Sequence, residues 1–221
     1  MISGSREVEA KFVVQDPSVF GSIARLKSIG PFRLVRKGRE RQQNVYLDTP
    51  DLRLRRARVA LRLRTIGRRV ALSFKQERRY SRGISDRVEI SRILDRRALD
   101  RLRTGALDTE PVRRAKAIVG ERPLRPVLTL KTDRQMLLFS AGREQMELDL
   151  DRVKVKRGNR TMAAHFEVEL ENRSASRKAF SQALRMLRGR WGKDLRLSRI
   201  PKYETGLRLL KAVEQKRGGG V

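Results

Sequence analysis

Carboxylates recur at every second residue in three short segments of this sequence. The three rows are Glu7, Glu9 and Lys11, then Glu147, Asp149 and Asp151, then Glu167, Glu169 and Glu171. Residues i, i+2 and i+4 of a β-strand lie on one face, so each row would present its charges together. Carboxylates gathered in this way repel one another unless cations lie between them. Oxygen donors suit hard ions such as Mg²⁺ or Mn²⁺, so the rows indicate a carboxylate metal site.

Basic residues form a second group of rows on other segments. They are Arg62 with Arg64, Lys75, Arg87, and Lys131 with Arg134. Such side chains, set opposite metal-bearing carboxylates, would bind the phosphate groups that the metals bridge. The alternative is a set of solvated strands joined by cross-strand ion pairs. Spacing alone leaves both interpretations open.

The elements that must position these side chains are short alternating segments followed by amphipathic stretches. Strands are predicted at residues 7–12, 44–48, 60–64, 70–75, 86–90, 127–132, 145–151 and 165–171. Helices are predicted at residues 16–29, 95–102, 110–119, 174–190 and 203–213, and a basic loop at 79–85. About eight strands with helices around them predict an α+β fold, and an antiparallel sheet of this size can close into a barrel. We expect one domain over residues 1–215 and a flexible tail at 216–221.

Composition narrows the chemistry further. The chain has 54 Lys and Arg against 25 Asp and Glu, for a net charge of +29, which favours polyanionic partners or reflects an arginine-rich surface. There is no cysteine and a single histidine, which excludes thiolate chemistry and multi-histidine metal sites. No apolar run approaches the ~20 residues of a membrane span, and the first residues lack the apolar stretch of a signal peptide. The expectation is a cytoplasmic protein with no membrane partner.

Eight of these features occur in the order found in the CYTH superfamily, the triphosphate tunnel metalloenzymes, which the chain resembles. The matching segments are Glu7-Val8-Glu9-Ala10-Lys11, Tyr46-Leu47-Asp48-Thr49-Pro50, Ala60-Leu61-Arg62-Leu63-Arg64, Leu72-Ser73-Phe74-Lys75, Arg87-Val88-Glu89, Glu147 to Asp151, Phe166-Glu167-Val168-Glu169 and Lys202-Tyr203. The resemblance covers residues 7 to about 210. It implies an eight-stranded antiparallel β-barrel, a tunnel open at both ends, with charged residues lining its interior.

The resemblance also implies roles for individual residues. One or two Mg²⁺ or Mn²⁺ ions would be held by Glu7, Glu9, Asp149, Asp151, Glu167 and Glu169. The phosphates of the substrate would be bound by Lys11, Arg62, Arg64, Lys75, Arg87, Lys131, Arg134 and Lys202. Lys75 and Glu169 are the candidate catalytic residues.

Three functions remain open at this stage. The first is metal-dependent hydrolysis of a triphosphate, with inorganic tripolyphosphate as the leading substrate, by a monomer or homodimer. The second is a class IV-type adenylate cyclase, for which an aromatic content of 5% offers no obvious platform for adenine. The third is a polyphosphate- or RNA-binding module with little turnover, which the net charge supports and in which nucleic acid would be a secondary partner.

Overall fold

The computed structural model of the chain describes residues 3–81 and 83–218. Within these ranges it contains ten strands and six helices. The strands are β1 (Ser3–Val14), β2 (Ser28–Ile29), β3 (Phe32–Asp48), β4 (Val59–Ile66), β5 (Arg69–Ser81), β6 (Ile84–Leu94), β7 (Arg125–Ala141), β8 (Glu144–Arg157), β9 (Arg160–Asn172) and β10 (Leu195–Leu197). The helices are α1 (Val19–Ala24), α2 (Arg53–Arg56), α3 (Arg96–Arg103), α4 (Glu110–Val119), α5 (Arg177–Trp191) and α6 (Lys202–Gly218).

Eight of the strands form a closed antiparallel barrel. They follow the order β1-β6-β5-β4-β3-β7-β8-β9, and pairing between β9 and β1 closes the ring. The two short strands extend this sheet, β2 on β3 and β10 on β1. The predicted α+β fold, an eight-stranded barrel with helices around it, is therefore confirmed.

Alternation along the strands gives the barrel two chemically different faces. Outward residues of β1, β8 and β9, such as Phe12, Leu148 and Leu170, pack beneath α1 and α5. Outward residues of β4 and β5, such as Leu61 and Leu72, pack beneath α2, α3 and α4. The helices thus remove the outer apolar face from water, and the inner face is left to the charged rows.

One part of the inner face is apolar, and α6 covers it. Leu128, Leu130, Val153 and Val155 continue the inward faces of β7 and β8 and contact this helix near its Tyr203. The helix approaches so closely that a Cβ on Gly206 would lie 2.8 Å from a methyl group of Leu128 and 2.9 Å from one of Leu130. The consequence is that the first residue of α6, Lys202, is held at the tunnel interior.

A small group of side-chain contacts fixes α6 to the barrel. Tyr203 stacks on Tyr46 with ring centroids 4.7 Å apart and donates a hydrogen bond of 3.3 Å to Asp48. Asp48 is fully buried and also accepts bonds from the backbone N–H groups of Thr49, Leu54 and Arg55. The Tyr-x-Asp-Thr-Pro segment seen in the sequence therefore ties β3, α2 and α6 together.

Several predicted boundaries were wrong. The helix predicted at residues 16–29 is limited to α1, which ends at Ala24. Ser28–Ile29 instead pair with β3 across a turn at Gly30, which adopts φ +59°. The predicted loop at 79–85 is mostly strand, since β5 runs to Ser81 and β6 begins at Ile84.

At the C-terminus α6 continues to Gly218, and residues 219–221 of the predicted tail lie outside the described residues. None of the helices within the described ranges is long and apolar enough to cross a membrane.

Candidate active site

A cavity of about 880 Å³ fills the barrel interior. Its lining extends from Arg36 and Glu147, towards one end of the strands, to Ala60 and Tyr203, towards the other. Six of the eight predicted phosphate-binding residues line it: Arg62, Arg64, Lys75, Arg87, Arg134 and Lys202. The barrel therefore brings together in one enclosed space charges that lie as far as 140 residues apart in the sequence.

Strand register arranges the carboxylates of β1, β9 and β8 in successive levels. At one level Glu9 lies opposite Glu171, which lies opposite Glu147. At the next level Lys11 lies opposite Glu169, which lies opposite Asp149. Below them Glu167 is paired with Asp151. The first and second levels therefore lie beside Glu7 and Glu9 of β1, and the third level lies farther along the barrel from these two carboxylates.

The third level is an internal salt-bridge network. Lys11 approaches Glu167 at 3.3 Å, and Lys202 lies 3.5 Å from Glu167 and also contacts Asp151. Burial acts to raise the pKa of Glu167, but Lys11, then Lys202, outweigh it and bring the pKa to about 2. Asp151 and Glu167 are fully buried, so both act in this structure as anchors for the lysines.

Arg134 joins this network to the middle level. Its guanidinium lies 2.6 Å from Asp151 and 2.8 Å from Glu169, and it also contacts Asp149. Burial works against the charge of Glu169, but Lys202 and then Arg134 hold its pKa well below the usual value. Glu169 therefore positions two cations towards the cavity.

Three carboxylates of the first and second levels form a compact cluster. Glu147, Asp149 and Glu171 each offer an oxygen such that the three atoms lie within 4.8 Å of one another. Burial, followed by Glu7 among the neighbouring charges, raises the pKa of Glu171 to about 7. Burial likewise raises the pKa of Asp149 well above its ordinary value, and the charge of Arg134 does not compensate for it. A cation at this point would add to Arg134 and Arg173, which contact these carboxylates, and would favour their charged forms, as a metal site requires.

Three further carboxylates of the cavity wall, Glu7, Glu9 and Glu89, are paired with cations of β4, β5 and β6. Lys75 lies between Glu7 at 2.7 Å and Glu89 at 2.9 Å, and Arg62 lies 3.1 Å from Glu89. Arg87 contacts Glu9, whose pKa burial nevertheless raises. These pairs hold the cationic side chains in extended positions along the tunnel wall.

Arg64 is different, because within the described chain no carboxylate lies at ion-pair distance from it. It donates a hydrogen bond of 2.8 Å to the side-chain oxygen of Asn44. Burial, followed by repulsion from Arg62 and Arg134, lowers its pKa to about 10. A partly buried guanidinium next to two other arginines is an excess positive charge, and an anionic ligand would relieve it.

The other two predicted phosphate-binding residues, Lys131 and Lys11, do not line the cavity. Lys131 is exposed on the outer face of β7, since only residues of even number there, such as Thr132 and Arg134, face inwards. Its assignment as a phosphate ligand is therefore wrong. Lys11 is only 4% exposed and forms an ion pair with Glu167.

Of the six predicted metal ligands, only Asp149 belongs to the compact cluster. Its partners Glu147 and Glu171 were part of the sequence rows, but the register that selects them required the paired strands. Arg173 was not predicted; it lies 2.5 Å from Glu147 and 2.8 Å from Glu171 at the edge of the cavity. No periodic pattern marks it, because it follows the end of β9.

The family model for the CYTH domain matches residues 5–193 of this chain. Among solved structures, HpAC1 from Hippeastrum, described as a candidate adenylyl cyclase with a dominant triphosphatase activity, aligns with a TM-score of 0.63 and 19% identity over 93% of this chain and 95% of that one. A candidate adenylate cyclase from Bacillus halodurans aligns with a TM-score of 0.57 and 19% identity over 89% and 92%. PH1819 from Pyrococcus horikoshii aligns with a TM-score of 0.56 and 18% identity over 91% and 98%. At these identities the likeness establishes the fold. No curated protein matches the chain.

Proposed function

We propose that this chain, which belongs to the CYTH family, is a metal-dependent triphosphatase that hydrolyses inorganic tripolyphosphate inside its tunnel. One observation carries the proposal: Glu147 and Glu171, which together with the adjoining Asp149 could hold a cation, line the same cavity as Arg64, which has no carboxylate at ion-pair distance within the described chain. A phosphate chain bearing divalent cations would match both features at once. The description of HpAC1 as having a dominant triphosphatase activity is consistent with it.

The metal site fits carboxylates of the first and second levels. We assign Mg²⁺ or Mn²⁺ to Glu147, Asp149 and Glu171, with Glu9 of β1 opposite Glu171 as a further donor. The donors are all carboxylate oxygens, which suit these hard ions. Burial, and after it the charges of Asp151 and Glu147, raise the pKa of Asp149, and a bound cation would oppose that shift. When bound, such an ion neutralises phosphate charge and polarises a phosphoryl oxygen.

The chain's own cations bind and orient the substrate. Arg62 and Arg64 grip the phosphates, and Lys75 stabilises the charge on the transferred phosphoryl group. Water attacks the terminal phosphorus, the bond from that phosphorus to the bridging oxygen breaks, and orthophosphate, diphosphate and a proton are released. Glu169 acts as a positioning residue, because it holds Arg134 and Lys202 in place.

The aromatic residues that line the cavity favour tripolyphosphate over a nucleotide as the substrate. Within the described lining the aromatic rings are those of Tyr46 and Tyr203, and they stack on each other. A base would have to separate them or use aliphatic contacts. Conversion of ATP to cAMP is therefore the second activity to measure, and we expect it to be slower than tripolyphosphate hydrolysis.

The test is phosphate release from tripolyphosphate, ATP and thiamine triphosphate with Mg²⁺, Mn²⁺ or a chelator. Glu9→Gln and Arg64→Gln should each lower tripolyphosphate turnover by about a hundredfold, the usual effect of removing one preorganised charge. The matched controls are Glu110→Gln and Arg68→Gln, which change the same charges on exposed or helical surface positions and should leave turnover unchanged. Absence of release from every substrate, together with tight polyphosphate binding in chelator, would make this a binding module instead.

A further inference from the structure

A second cavity, of about 810 Å³, lies on the outside of the barrel between α5 and the ends of β5 and β6. Its floor is apolar and consists of outward side chains such as Val8, Ile84 and Leu184. Arginines line its walls. We call this cavity the arginine groove; its defining residues are Arg79, Arg173, Arg177, Arg185 and Arg188.

The charge of the groove is unbalanced. Among its described lining residues the only carboxylate is Asp86, which already has an interaction partner. Arg177, Arg185 and Arg188 share one side of α5, since they are spaced by eight and three residues. Each is exposed, and no ion pair involving it occurs within the described ranges of the chain. The three exposed guanidinium groups of α5, beside Arg79 and the ion-paired Arg173, constitute a surface for a polyanion.

The groove adjoins the tunnel at one shared lining residue. Arg173 lines both cavities and, through Glu147 and Glu171, contacts the carboxylate cluster. At the other end of the groove, Arg185 and Arg188 also line a smaller depression that reaches Arg196 of β10. A path of arginines therefore leads from the edge of the tunnel along the outside of the barrel.

We propose that the arginine groove binds the body of a long inorganic polyphosphate chain while one end of that chain occupies the tunnel. This inference rests on the proposed function, which it extends from tripolyphosphate to its longer homologues. Guanidinium forks bind phosphate oxygens in bidentate fashion without regard to what the phosphates carry.

Inorganic polyphosphate fits the groove better than single-stranded RNA does. Proteins that bind single strands without sequence preference stack the bases on exposed aromatic rings. Phe180 is the aromatic residue in the described lining of the groove, and it is only 1% exposed because it belongs to the core beneath α5. The groove thus offers charges to a backbone but no platform to a base.

The experiment compares binding of long-chain polyphosphate with turnover of tripolyphosphate. The variant is Arg177→Gln/Arg185→Gln/Arg188→Gln, and the matched control is Arg68→Gln/Arg92→Gln/Arg97→Gln, which removes equal charge from exposed positions elsewhere on the barrel. Removing three exposed phosphate contacts should raise the Kd for long-chain polyphosphate about tenfold at physiological salt. It should also reduce the dependence of that Kd on salt, since fewer counterions are released. Tripolyphosphate turnover should stay the same, and the corresponding triple lysine variant should retain most of the binding.

Equal Kd values for the groove variant and the wild type would overturn the proposal. An equal loss of polyphosphate affinity in the control variant would also overturn it, because only the net charge of the protein would then matter. Competition by single-stranded RNA as effective as that of polyphosphate of equal charge would overturn it in favour of nucleic acid. Absence of tripolyphosphate turnover in the wild type would instead refute the proposed function. The binding comparison does not depend on turnover, so the two failures are distinguishable.

Discussion

Replacing Lys202 with methionine should destabilise the fold at neutral pH when no divalent ion is present. The ammonium group lies 3.2 Å from Glu169 and 3.5 Å from Glu167 and also contacts Asp151. Burial acts to lower the pKa of Lys202, but these three carboxylates outweigh it and raise that pKa above the ordinary lysine value. Methionine keeps the length of the side chain and removes only the charge.

The expected loss of unfolding free energy depends on the ion pairs that remain after the substitution. Breaking a buried ion pair by removing one partner costs about 3–5 kcal/mol, because a charge is left buried without compensation. Arg134 would still contact Asp151 and Glu169, and Lys11 would still contact Glu167. We therefore expect the lower limit, about 3 kcal/mol, which for a protein of this size corresponds to a Tm lower by roughly 6–12 °C.

The effect should depend on pH in a defined direction. In the wild type the pKa of Glu167 is lowered from 4.5 to about 2, so this carboxylate contributes stability above pH 4.5 that is lost as the pH falls towards 2. In the variant the folded-state pKa rises, because burial then meets less opposing charge. The difference in unfolding free energy between wild type and variant should be largest above about pH 5 and should narrow as the pH falls through 4.5.

The assay is urea unfolding with a chelator at pH 7 and pH 4. Lys211→Met is the control, since Lys211 is an exposed lysine on the same helix. An unfolding free energy of the Lys202 variant within about 1 kcal/mol of the wild type at pH 7 would refute the reasoning, given the cost expected for a buried pair. A loss of unfolding free energy that is the same at pH 7 and pH 4 would refute the claim that the effect is electrostatic.

Three further predictions concern other parts of the molecule. Gly206→Ala should lower the unfolding free energy by about 1–3 kcal/mol, because the added Cβ would overpack against the barrel. The control is Gly189→Ala, whose Cβ meets open space in α5. It should be neutral or stabilising in the same urea assay. The hydrogen bond from Arg55, followed by that from Arg208, outweighs the effect of burial and lowers the pKa of Glu204 to about 2. The stabilising effect of this carboxylate should therefore be complete above pH 4.5 and lost towards pH 2. With Arg55 40% exposed, Arg55→Gln should cost at most about 1 kcal/mol at pH 7 and less in high salt. Mn²⁺ at about a hundredfold excess over its Kd should stabilise the wild type by about 2.7 kcal/mol; a Tm that Mn²⁺ leaves unchanged, or raises equally in Asp149→Asn, would contradict the metal assignment.

Much of the tunnel could be predicted from local pattern. Alternation with a period of two identifies Glu7, Glu9 and Glu169 as members of one-sided strands, because successive side chains of a strand point to opposite faces. The same rule, applied strictly, would have excluded Lys131, which is three residues from Arg134 and so cannot share its face. Boundaries were less predictable: the predicted helix at 16–29 ends at Ala24, and the left-handed turn at Gly30 lets Ser28–Ile29 pair with β3 as a strand.

The sequence by itself determined the fold family, the antiparallel barrel and the kinds of charge that line it, since these depend on residue type and on the spacing of neighbours along the chain. Only the tertiary structure decided which carboxylates meet. The register of β1, β9 and β8 groups Glu147, Asp149 and Glu171, and leaves Glu167 to the lysines. Burial then decides which of these charges are compensated, because the cost of a charge depends on the surroundings that the whole barrel creates around it.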